Sequence, residues 1–186
     1  MRYLKYNILH NTPNLLSLTR IFLSPLFLYF LKGDHRVIAG IIFLLGAITD
    51  FLDGFVARKF NITSKIGEIL DPLSDKIFMN TVLWGIVIYL DNLPYSIFCI
   101  ALLLSFRDII LIFGAIFIIL KKIKVEIKPI YLSKICTTLI FILLFFVIIS
   151  ENLGNYIDIL SYTCLFLVIL TSIFYIRRFF KRNNKF

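Results

Sequence analysis

The chain has 186 residues, of which 60% are hydrophobic and 16% aromatic, and its mean hydropathy is +0.92. Soluble domains are roughly 45–50% apolar, so this composition excludes an ordinary soluble globular domain. The formal net charge of +9 would suit nucleic acid if it lay on one soluble face. Instead the basic residues flank apolar stretches, which excludes a nucleic-acid partner and fits anionic lipid headgroups. Three cysteines without a CxxC spacing and two histidines exclude a zinc site, a disulfide framework and histidine-based triad chemistry.

Apolar stretches at 14–31, 37–57, 67–90, 95–120, 131–150 and 156–176 each approach the roughly 20 residues that cross a bilayer. They predict an all-α integral membrane protein with six transmembrane helices, forming a single membrane domain over residues 1–186. The first ten residues, MRYLKYNILH, lead into no short apolar run with a small-residue cleavage site, so no removable signal peptide is expected. Asn11-Thr12-Pro13-Asn14 is expected to open the first span, with Pro13 in the first turn where proline is tolerated.

Residues 32–36 form a turn. The second span ends at Arg58-Lys59, a short polar connection follows, and the third span starts near Lys65. Asp91-Asn92-Leu93-Pro94, residues 121–129 and residues 150–156 are the remaining turns. Lysine and arginine gather at alternate connections: Arg58, Lys59 and Lys65, then Lys121 to Lys128, then Arg177 to Lys185, against only Lys32 and Arg36 on the opposite side. The positive-inside rule then places both termini in the cytoplasm.

Ionisable groups inside a membrane helix are unfavourable by a few kcal/mol each, so they usually face a cavity and have a function. Here they concentrate at residues 50–75. Asp50 and Asp53 are three apart, Asp71 and Asp75 four apart, so each pair shares a helix face. The short connection between the two helices makes a hairpin that brings four carboxylates together near the inner membrane boundary. Like charges so placed need a cation among them. Hard oxygen ligands without histidine or cysteine suit Mg²⁺ or Mn²⁺, and two such ions suit an in-line phosphoryl displacement. Gly54 and Ala57 are small residues that let a ligand or helix approach the backbone, and Arg58 offers a planar fork to a diphosphate. The competing readings are ordinary interfacial charges, an ion or proton path through a transporter, or a metal-dependent prenyltransferase. None of these accounts for Gly54, Ala57 and Arg58 at their spacing.

The run Asp50-x2-Asp53-Gly54-x2-Ala57-Arg58-x8-Gly67-x3-Asp71-x3-Asp75 resembles the signature of the CDP-alcohol phosphatidyltransferase family at every fixed position. The opening NTPNLLSLTRIFLSP and the block LDPLSDK look like its phosphatidylglycerophosphate synthase and CMP-forming cardiolipin synthase branch. The resemblance implies a six-helix membrane fold, usually a homodimer, with a polar cavity open to the cytoplasm. It implies that Asp50, Asp53 and Asp71 are shared ligands of two Mg²⁺ or Mn²⁺ ions, and that Asp75 is a ligand or the general base. Gly54, Ala57, Arg58 and Gly67 would receive the CDP moiety of CDP-diacylglycerol, and CMP would leave as a glycerol-type alcohol takes the phosphatidyl group.

The acceptor is read from departures. Relatives that use glycerol 3-phosphate resemble one another in an Arg-Glu pair in the fourth span, a second arginine about eight residues later and a Gly-Lys-x-Lys-Thr block opening the fifth. This chain has Arg107-Asp108, Ala115 and Ser133-Lys134-Ile135-Cys136-Thr137. A phosphomonoester would lose cationic partners there, so phosphatidylglycerol is the favoured acceptor and glycerol 3-phosphate the alternative. Arg20, Arg107 and Lys134, the first two deep within spans, are the expected acceptor-binding residues. The expected location is a bacterial inner membrane with the site facing the cytoplasm, a mitochondrial inner membrane being the alternative.

Overall fold

The computed structural model describes the backbone of residues 2–60, 67–120, 131–150 and 154–183, and side chains over 17–50, 52, 73–113, 132–150 and 154–174. All regular structure in these residues is helical: α1 (Arg2–Lys32), α2 (Arg36–Phe60), α3 (Gly67–Tyr89), α4 (Tyr95–Leu120), α5 (Tyr131–Ile149) and α6 (Asn155–Asn183). Among the described residues, Tyr95–Phe113, Leu132–Ile149 and Asn155–Phe174 are long and apolar enough to cross a membrane. α1, α2 and α3 have 31, 25 and 23 residues and carry, among other charged residues, Arg20, Asp50 and Asp75.

Asn11-Thr12-Pro13-Asn14 is not a helix start. α1 is continuous from Arg2 to Lys32, so Pro13 lies in its interior, where it removes one ladder hydrogen bond. A helix needs no local cap at the point where its sequence turns apolar, and the polar residues simply continue it.

The chain divides into two compact units, residues 1–89 and 90–186. In the first, α1 is the central helix and packs along both α2 and α3, which touch each other only sparingly. Phe27, Leu31, Ala39, Ile42, Phe43, Val82, Leu83 and Ile86 are buried there. Gly85 lets α3 close on α1, since a Cβ at that position would sit 2.6 Å from Leu28 Cδ2. The turn from α1 to α2 is a Schellman closure: His35 N–H donates to the Phe30 carbonyl at 2.9 Å and Asp34 N–H to the Leu31 carbonyl at 3.1 Å. Asp34 takes the left-handed conformation, φ 57°, that this motif requires at its C′ position. Arg36 Nε donates to Asp34 Oδ1 at 2.9 Å.

In the second unit α6 is central, with α4 and α5 each packed on it and, among the described residues, not on each other. Its buried stripe, Ile157, Ser161, Cys164, Val168 and Thr171, recurs at three and four residues and is mostly small, which allows close helix approach. Ser96 of α4 donates to Ser161 of α6 at 2.6 Å within this buried contact. Many large apolar side chains point outward, among them Phe22, Ile88, Phe113 and Phe166, as a lipid-facing surface requires. Phe146 is half exposed.

Candidate active site

The structure brings Asp50 of α2 and Asp75 of α3 to one point, and the group that joins them comes from α1. Arg20 Nη1 donates to Asp50 Oδ1 at 2.7 Å and lies 3.8 Å from Asp75 Oδ1. The first is a short, charge-assisted hydrogen bond and the second a looser ion pair. Arg20 is fully buried, whereas the side chains of Asp50 and Asp75 are 53% and 49% exposed. The guanidinium therefore closes the inner side of the pair and the carboxylates open outward.

The local sequence explains this placement. Ser17, Arg20 and Ser24 recur at three and four residues along α1 and all three are buried, so they form a polar stripe on the face that meets α2 and α3. The Ser24 hydroxyl turns back to the Arg20 carbonyl at 3.0 Å. Ser74 is buried beside Asp75, fixing which side of α3 faces inward. One turn away from the carboxylates, Phe78 of α3 stacks on Phe43 of α2 with ring centroids 6.3 Å apart. A Cβ at Gly46 would run into the Phe78 ring. Gly46 lies four residues before Asp50 and Phe78 three after Asp75, so this seat sets how closely α2 approaches α3 at the carboxylates. Sequence reasoning missed both residues, and spacing along either helix alone does not reveal their contact.

The backbones at Asp53, Gly54, Ala57 and Arg58 belong to α2, and those at Gly67 and Asp71 to α3. Their side chains lie outside the described residues. The connection over 61–66 is likewise outside them.

Arg107 and Lys134 belong to the second unit. Arg107 is mostly buried and turns toward its own neighbour, with Nε and Nη2 at 3.4 and 3.3 Å from Asp108 Oδ1. Its buried Nη1 has no hydrogen-bond partner among the described residues. Cys136 of α5 and Thr171 of α6 are both buried. Lys134 is exposed near the start of α5.

Two half-exposed carboxylates backed by one buried cation form an oxygen-only donor set, which fits a hard divalent ion such as Mg²⁺ or Mn²⁺. The chain is similar to several known phosphatidyltransferases and to cardiolipin synthases. A CDP-diacylglycerol–glycerol-3-phosphate 3-phosphatidyltransferase of Aquifex aeolicus is 43% identical over 62% of the chain and 64% of its own length. One of Rickettsia felis is 30% identical over 95% of the chain and 97% of its own length. A CMP-forming cardiolipin synthase of Rattus norvegicus is 39% identical over 57% of the chain but only 34% of its own length, so the chain spans under two thirds of some of its relatives. Residues 10–174 match the CDP-alcohol phosphatidyltransferase family, and with the eight signature residues in place the chain belongs to that family.

Proposed function

We propose that the chain transfers a phosphatidyl group from CDP-diacylglycerol to glycerol 3-phosphate and releases CMP. The observation that carries the reaction type is the meeting of Asp50 and Asp75 from separate helices on one guanidinium nitrogen. The acceptor rests on the relatives. The Rickettsia felis protein, which aligns from end to end, is named for glycerol 3-phosphate, as is the Aquifex aeolicus protein. The rat cardiolipin synthase aligns over a third of its length. This reverses the preference for phosphatidylglycerol drawn from Asp108, Ala115 and Ser133.

In this reading Asp75 takes the proton of the acceptor hydroxyl. The freed oxygen forms a bond to the phosphorus that carries diacylglycerol, the bond from that phosphorus to the CMP oxygen breaks, and CMP leaves with the electron pair. Mg²⁺ or Mn²⁺ ions held by Asp50, Asp53, Asp71 and Asp75 would polarise the diphosphate and offset charge on the departing CMP. Gly54, Ala57, Arg58 and Gly67 are assigned to the CDP moiety, and Arg107 and Lys134, from the sequence alone, to the acceptor. The distribution of lysine and arginine supports six spans with both termini and the site on the cytoplasmic side. Bacterial relatives support a bacterial inner membrane, and the family resemblance supports a homodimer.

The Arg107–Asp108 contact favours a second reading, because a partly neutralised Arg107 suits the monoanionic phosphodiester of phosphatidylglycerol. Purified protein is therefore offered CDP-diacylglycerol with glycerol 3-phosphate, phosphatidylglycerol, serine or inositol phosphate, and the product lipid is identified by mass. The expected product is phosphatidylglycerophosphate. Cardiolipin would establish the second reading, and ion flux in liposomes without CMP release would overturn both.

A further inference from the structure

Arg20 was expected to bind the acceptor, yet its side chain is fully buried, so a phosphate arriving from solvent cannot reach it. We propose instead that Arg20 is a positioning residue, the internal counter-ion of the Asp50–Asp75 pair, which holds the two carboxylates together without metal and keeps divalent-cation affinity down. The proposal rests on the reading of these aspartates as metal ligands.

Three observations carry it. A buried guanidinium is retained only where it is paired, and the pairing here runs to α2 at 2.7 Å and to α3 at 3.8 Å from the same nitrogen. α1 packs along both of those helices, so its arginine touches α2 and α3 together at this level. The carboxylates keep about half their surface open on the side away from Arg20, leaving oxygens for a divalent ion. That ion must then bind close to a fixed positive charge, which weakens it by direct repulsion. Arg20 acts through Asp50 and Asp75, not on substrate.

The test is Mn²⁺ binding to the detergent-purified full chain, followed by electron paramagnetic resonance without substrate, in wild type, Arg20→Gln and Arg20→Lys. Arg20→Gln removes the buried charge and leaves only half-exposed carboxylates behind, so the chain is expected to fold. Its Mn²⁺ Kd should fall about tenfold, because a neutral amide no longer repels the ion. Its thermal midpoint should drop without metal and recover at saturating Mn²⁺, as linkage requires when the ion replaces the lost counter-charge. The acceptor KM should stay within about twofold. Arg20→Lys, which keeps the charge but loses the fork, should give a Kd between the two and the same unmoved KM; it decides the matter if Arg20→Gln does not fold. An unchanged or weaker Kd, or an acceptor KM raised about tenfold with Kd unmoved, would overturn the proposal. Failure of the proposed function is separately visible as wild-type protein that binds Mn²⁺ yet releases no CMP, and wild type that binds no Mn²⁺ overturns both.

Discussion

Asp75→Asn is expected to lower CMP release about a thousandfold, in the range a positioned general base contributes, while the protein stays folded. Asparagine is nearly isosteric with aspartate but accepts no proton. The fold survives because the shorter ion pair of Arg20 is with Asp50, at 2.7 Å, and the contact to Asp75 is 3.8 Å; the buried guanidinium keeps its stronger partner. The measurement is initial-rate CMP release with CDP-diacylglycerol and glycerol 3-phosphate, beside a thermal midpoint in detergent. A loss of less than about tenfold would place the general base elsewhere.

Gly46→Leu is the second large effect. Leucine has the better helix propensity, by up to about 1 kcal/mol, so on local grounds the change should stabilise α2. The packing opposes this: even a Cβ at position 46 would occupy the place of the Phe78 ring, and forcing extra methylenes into a filled contact is unfavourable by about 1–3 kcal/mol. Overpacking wins, and it acts one turn from both carboxylates. The variant should be less stable and more than about tenfold slower, since small misplacements of catalytic groups are felt strongly. Combining it with Phe78→Ala should restore part of both, which a double-mutant cycle measures. Full activity in Gly46→Leu would show that this contact does not position the site.

Much of the helical layout was legible because long apolar stretches bounded by polar turns form helices. The stretch 95–120 coincides with α4, and 67–90 and 131–150 with α3 and α5 to within a residue. The ends of α1 and α6 were not legible, because polar residues continue a helix beyond its apolar part without any stop signal. That Asp50 and Asp75 meet a charge was legible by chemistry, since carboxylates in an apolar chain are too unfavourable to persist without one. The pairing of Arg20 with both of them was not. Its depth in the first span was plain, but which helices α1 touches is decided by packing, and spacing along one helix says nothing of the partner across it. Gly46 and Phe78 were hidden for the same reason: a glycine and a phenylalanine in a membrane helix are ordinary residues until their mutual contact is seen.

In the proposed reaction a divalent cation would sit between the aspartates of α2 and α3. The direct measurement is an experimental structure of the protein with Mn²⁺, with anomalous scattering locating the ion. The expected result is a peak in direct coordination with both Asp50 and Asp75, and Arg20 behind them on the closed side. Mn²⁺ bound elsewhere, or the two carboxylates too far apart to share an ion, would contradict it.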